Sequence, residues 1–250
     1  MKARWMVLLV MVLLLAMIPG LVMAQGRERA ERTGTFVVRA GTPFYMPQAG
    51  AKQGPLATRP LSLPQFGPRV QVAGFKALLQ EGFENSWPDG DWWVEEYSGA
   101  HDLCWGAVER NPRKGFMSAW PTAGCADGYD PNSYPNYAND MDTWMYYPMD
   151  LSGANKGSVR FVFRNDSEFG YDYFSWCATP DYGANWYCNY HQGSTGGRWR
   201  TVNINLANVP GYGNMLGAPG FAFAWGFYSD FSVTLEGPYV DAIRIVATGP

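Results

Sequence analysis

The chain has 250 residues, 47% of them hydrophobic, 16% aromatic and only 16% charged, with a formal net charge of −3. That weakly acidic balance excludes a nucleic-acid partner held through phosphates, which reward clustered Lys and Arg. The aromatic content excludes a chain disordered throughout and describes a large β core joined by Gly- and Pro-rich turns.

Residues 1–24 read as a signal peptide. Lys2 and Arg4 form a positive n-region, residues 6–18 an uninterrupted apolar run, and Val22-Met23-Ala24 a small-residue cleavage site. The apolar run is shorter than the ~20 residues a spanning helix needs, so cleavage leaves a secreted chain with no membrane span. Residues 25–73 read as a Pro-rich linker or pro-segment, largely disordered. Pro43, Pro47, Pro55, Pro60, Pro64 and Pro68 interrupt any apolar periodicity, and only residues 35–38 look strand-like.

From residue 74 to 250 the texture is that of one β domain. Strands are expected at 77–83, 92–97, 104–108, 116–120 and 143–147, separated by Gly, Pro, Asp and Asn. A long loop, ADGYDPNSYPNYAND, occupies residues 126–140. Residues 158–164 alternate, with Val159, Phe161 and Phe163 on one face, Arg160 and Arg164 on the other, and Val162 breaking the pattern. Residues 172–190 read as an aromatic hairpin with its tip at Pro180-Asp181-Tyr182-Gly183, followed by strands at 198–206, 221–228 and 239–246. No amphipathic helix and no repeat emerges. About ten short strands at regular spacing point to an all-β, two-sheet antiparallel jelly-roll sandwich.

Four cysteines allow three pairings. Cys177 and Cys188 stand at near-equal distances from the hairpin tip and should face each other, and chain order favours Cys104–Cys125 for the rest. A four-Cys zinc site lacks any CxxC spacing. The stretch TPDYGANW (residues 179–186) resembles the Asp-box of sialidase propellers, but a propeller repeats it in every blade. In a single hairpin, Asp181 is expected to cap amides of its own turn.

Catalytic signatures are missing: there is no HExxH and no GxSxG, and His101 and His191 read as solvated loop histidines. Glu95, Glu96, Glu168 and Glu236 sit where surface charges would. Aromatic stacking on sugar rings is the live binding chemistry. Tyr129, Tyr134 and Tyr137 of the long loop are the candidates, with Trp87, Trp92 and Trp93 near the first turn. Trp92, Trp105, Trp176 and Trp225 are assigned to the core first. Asn165-Asp166-Ser167 is a glycosylation sequon.

Five landmarks then occur in order: EGFENSWPDGDWWVEE (81–96), CWGAVERNPRKGFMSAW (104–120), NDMDTWMYYPMDLSGA (139–154), YDYFSWCATPDYGANW (171–186) and YVDAIRI (239–245). This ordered set resembles secreted bacterial jelly-roll domains of the MAM-like, immune-inhibitor-A-type group, related to cleaved-adhesin modules. The resemblance implies a non-catalytic module, here without a peptidase domain. It also implies a structural calcium ion where the first and last strands meet, at Glu84 and Asp241, with Asp142 as a third ligand by position; Ca²⁺ takes several carboxylate and carbonyl oxygens. The expected function is an exported binding or adhesion module, not an enzyme, whose partner is a glycan, cell-surface polymer or protein. The competing expectation is a polysaccharide hydrolase with an unrecognised carboxylate pair.

Overall fold

The computed structural model describes residues 31–39 and 74–250. Twelve strands are found there and no helix: β1 (Glu31–Arg39), β2 (Phe75–Glu81), β3 (Trp93–Glu96), β4 (Cys104–Val108), β5 (Ser118–Gly124), β6 (Asp142–Met149), β7 (Lys156–Arg164), β8 (Tyr173–Thr179), β9 (Asn185–Gly193), β10 (Arg200–Asn205), β11 (Phe221–Tyr228) and β12 (Tyr239–Thr248). They form two antiparallel sheets of a jelly-roll sandwich. The first has the order β1-β9-β8-β11-β6-β3; the second runs β10-β7-β12-β5-β4, with β2 also pairing β12. Every strand expected from residue 74 onward is present, shifted by a few residues at most of its ends.

The core lies between the sheets and is built by period-2 alternation. Val159, Phe161 and Phe163 of β7 point inward to meet Trp176, Phe223 and Trp225. Phe83, Trp92 and Trp105 close the same cluster. The four tryptophans assigned to the core, Trp92, Trp105, Trp176 and Trp225, are all buried. The outer face of the first sheet carries a second apolar cluster, in which Trp144, Tyr146 and Trp186 surround Ala222, Ala224 and the Cys177–Cys188 bridge. At Gly226 a Cβ would sit 2.5 Å from the Trp144 ring, so only glycine lets that indole lie across β11.

Both expected disulfides are formed, Cys104–Cys125 and Cys177–Cys188. Cys177 and Cys188 are direct partners in the β8–β9 register. At the hairpin tip, Asp181 accepts hydrogen bonds from the Thr179 hydroxyl, the Asn185 amide and the Asn185 side chain, the self-capping role expected of it. Two bridges in one chain belong with an oxidising compartment outside the cytosol.

One element departs from the expected organisation. Within the segment expected to be largely disordered, β1 pairs with β9 over nine residues, from Glu31↔Gly193 to Arg39↔Asn185. The sandwich therefore begins before residue 74. Val38 is buried, Phe36 packs on Tyr190, and Glu31 bonds both His191 and Arg200. Those anchors lie some 150 residues downstream, out of reach of local composition. The signal peptide and the remainder of the linker lie outside the described residues. No helix among the described residues is long and apolar enough to cross a membrane.

Candidate functional site

The first strand after residue 74 and the last strand of the chain do meet. β2 and β12 pair side by side, and β12 pairs on its other flank with β7. The β12–β7 register shifts between Asp241 and Arg244. Ala242, at φ 50°, sits in the inserted step. Asp241 pairs with Val162 and Arg244 with Arg160, so three residues of β12 span two of β7. In a regular strand positions 241 and 244 would face opposite ways; the bulge puts both side chains on the outer face.

Over that face opens a cavity of about 490 Å³, whose walls include Gln80, Glu81, Glu84, Asn85, Lys114, Arg160, Asp241 and Arg244. The loop between β4 and β5 forms one rim. Its backbone amides at Arg113 and Lys114 donate to the Asp241 carboxylate at 2.7 and 2.9 Å. Those at Phe116 and Met117 donate to Glu84 at 3.0 and 3.2 Å. Gly115, at φ 74°, is required between them: a Cβ there would lie 2.0 Å from a Glu84 oxygen. Burial raises the Asp241 pKa, and the charge of Glu84 pushes it the same way while the three amides at Lys114, Arg113 and Ala242 oppose. Glu81, the third acid, accepts from the amides of Gly82 and Phe83 and from the Trp92 indole.

The expected site residues separate into three places. Glu84 and Asp241 come together at this cavity. Asp142 does not join them. It opens β6 on the other sheet, buried, accepting the Trp144 indole N–H at 2.7 Å; its position in the chain said nothing about which sheet would carry it. Two carboxylates within electrostatic reach on one open wall are the donor type a hard divalent cation takes. Their oxygens also meet amide donors, so neither is orphaned without one.

In the long loop, Tyr134 is 62% exposed, with its ring 5.2 Å from that of half-buried Tyr129. Tyr137 is not available to a ligand. It is 1% exposed, packs edge-on against Phe227, and donates its hydroxyl to Asp172, 35 residues downstream. Asp172 belongs to a cluster with Glu168 and Asp230 whose carboxylate oxygens lie within 4.8 Å of one another. Burial raises the Asp172 pKa, opposed by the Tyr137 hydroxyl and the Asp230 amide, which donates to it at 2.9 Å.

The histidines differ from expectation. His101 is half-buried and donates to the Asn139 carbonyl at 2.9 Å. His191 is buried between Asn165 and Glu31, and burial lowers its pKa although Glu31 opposes that. Asn165 Nδ2 donates to His191 Nδ1, which leaves Nε2 as the protonated nitrogen facing Glu31. Among the described residues, neither histidine has a serine or cysteine as a hydrogen-bond partner.

Sequence reasoning missed the basic lining of the cavity. Alternation put Arg160 outward, and YVDAIRI contains Arg244, but nothing local says that the two are neighbours across β7 and β12. Arg164, on the same face four residues along β7, is held by Glu236 at 2.7 Å and by Asn111.

No protein-family profile and no characterised protein sequence matches the chain. Several solved domains resemble it in shape. The K1 cleaved-adhesin domain of Lys-gingipain from Porphyromonas gingivalis is 16% identical, with 68% of this chain and 98% of that domain aligned at a TM-score of 0.45. A family 11 carbohydrate-binding module from Clostridium thermocellum, solved with a β-1,3-1,4-mixed-linked tetrasaccharide, is 14% identical over 72% and 98%, at 0.42. The xylan-binding domain of Paenibacillus barcinonensis Xyn10C is 12% identical over 72% and 99%, at 0.41. At these identities and scores, the fold of this chain is read from its own sheets and its ligand is not read from theirs.

Proposed function

We propose that the chain is an exported, non-catalytic β-sandwich module that binds an extracellular glycan or cell-surface polymer. The observation that carries this reading is the open cavity of about 490 Å³ on the outer face of the second sheet. Its walls offer amide, guanidinium and ammonium groups suited to a multiply hydrogen-bonding ligand. The exposed Tyr134 ring, stepped on Tyr129, is a further surface for a sugar ring. Membership of the MAM-like group, suggested by the five ordered sequence landmarks, belongs to the same proposal, as do secretion and cleavage after Ala24.

The hydrolase alternative needs one carboxyl group that reaches the glycosidic oxygen and a second across the bond. Asp241 has the raised pKa of a general acid, but it is 0% exposed and its oxygens face the amides of the rim. A panel of plant and bacterial polysaccharides, assayed for both retention and release of reducing ends, separates the two. Retention without turnover is expected. Turnover abolished by Glu84→Gln or Asp241→Asn would overturn the module reading.

Calcium at Glu84 and Asp241, without Asp142, is part of the proposal. The support is that both carboxylates line one cavity and are held by one short rim, Asp241 by the amides of Arg113 and Lys114 and Glu84 by those of Phe116 and Met117. An ion bound only by the native state stabilises by mass action, about 2.7 kcal/mol at a hundredfold excess over its dissociation constant. Chelator is therefore expected to lower the melting temperature, and Asp241→Asn to remove the difference. A melting curve indifferent to chelator would leave the amides of residues 113–117 as the only partners of the pair.

A further inference from the structure

We propose that the cavity over β7, β12 and β2 is an anion site, and that the module's ligand is an acidic glycan whose carboxylate or sulfate groups seat between Arg160, Arg244 and Lys114. The inference rests on the binding-module reading and narrows it to a class of ligand.

The charges of the cavity fall into two unequal groups. Its acids are already engaged: Glu81 by two amides and an indole, Glu84 by two amides, and Asp241 by amides of the rim. Its cations are not. Among the described residues, the side chains of Lys114, Arg160 and Arg244 have neither an ion pair nor a hydrogen bond, and all three are exposed. The groups the cavity leaves free for an incoming ligand are therefore its guanidinium and ammonium donors.

Placement sharpens this. Arg160 and Arg244 are direct cross-strand partners, and the row continues at the same level to Gln80 on β2 and to Asn203 on β10. Facing side chains in adjacent antiparallel strands stand roughly 5 Å apart at Cβ, and like charges so placed are unfavourable. The fold meets the same problem at Arg164 by supplying Glu236 and Asn111. Among the described residues it supplies no such partner at Arg160 and Arg244. An anion between the two guanidinium forks removes the repulsion and satisfies their planar donors, the geometry that carboxylate and sulfate match bidentately. Gln80 and Asn203 flank the pair with amide groups that take sugar hydroxyls. The chain as a whole is weakly acidic, so the positive charge is local to this row rather than a general polyanion surface.

Binding of the full chain is measured by affinity electrophoresis and titration calorimetry against polygalacturonate, its fully methyl-esterified form, dextran sulfate, dextran and galactan. The expected result is retention by polygalacturonate, dextran sulfate or both, lost on esterification or in plain dextran, and weakened by salt. Carboxylate and sulfate are distinguished by which of the two binds. Arg160→Gln and Arg244→Gln should each weaken that binding about tenfold or more. Their melting temperatures should not fall, because each substitution relieves a like-charge pair. Binding of acidic polymers unchanged by both substitutions overturns the proposal. So does retention by neutral polymers only, although that result leaves the binding module intact. Equal, Arg160-dependent binding of single-stranded DNA overturns the glycan assignment. Failure to bind any polymer, neutral or acidic, removes both readings together.

Discussion

Replacing both cysteine pairs by serine is expected to destabilise the domain by about 6 kcal/mol, close to the whole stability of many domains of this size. The bridges close loops of 21 and 11 residues, and each contributes about 3 kcal/mol in the chain-entropy account of cross-linking. The two should not respond alike. Cys177 and Cys188 join strands already locked in register by neighbouring pairs such as Trp176↔Asn189 and Ala178↔Tyr187. Cys125 lies just past the end of β5, exposed, at φ 62°, so its bridge holds a turn that the ladder does not reach. Cys104→Ser/Cys125→Ser is therefore expected to open the start of the long loop locally, and Cys177→Ser/Cys188→Ser to weaken the first sheet globally. Urea unfolding gives the totals, and hydrogen exchange at residues 122–130 gives the distribution. A combined loss below about 2 kcal/mol would show that neither bridge constrains the unfolded chain as argued.

The second large effect is expected at Phe161. Its ring is fully buried and touches Phe163, Trp176, Phe223 and Trp225, which come from both sheets. Truncation to alanine removes the transfer free energy of the ring and leaves a void that four large, mutually braced aromatics cannot collapse into. Phe161→Ala should cost about 3–5 kcal/mol. Phe75→Ala, at a ring 67% exposed on β2, should stay within about 0.5 kcal/mol. Comparable losses at the two positions would refute this placement of the core.

Most of the sandwich was legible because strands and tight turns write themselves locally. The alternation Val159, Phe161, Phe163 and the symmetric cysteines about Asp181 each needed only a short window to read. The topology that brings Glu84 to Asp241 also followed, since a jelly roll sets the strand expected to open the domain, β2, beside the last, β12. Facts that depend on partners far along the chain did not follow. Tyr137 looked like a loop aromatic, and only Asp172 makes it a core residue. Asp142 looked like a third ligand, and only its pairing with Tyr228 of β11 shows that it lies on the other sheet. The Arg160–Arg244 pair depends on one inserted residue in β12, which nothing in YVDAIRI announces.

The pairing of β1 with β9 sets an order on biosynthesis. Glu31 leaves the ribosome long before Gly193, its partner in the ladder. Until the ninth strand exists, the first has no template, and closing so long a loop is slow as well as entropically costly. A chain made from its N-terminus therefore carries its first strand without a sheet partner while the sandwich is still incomplete. That edge of the first sheet closes only once the aromatic hairpin has been made.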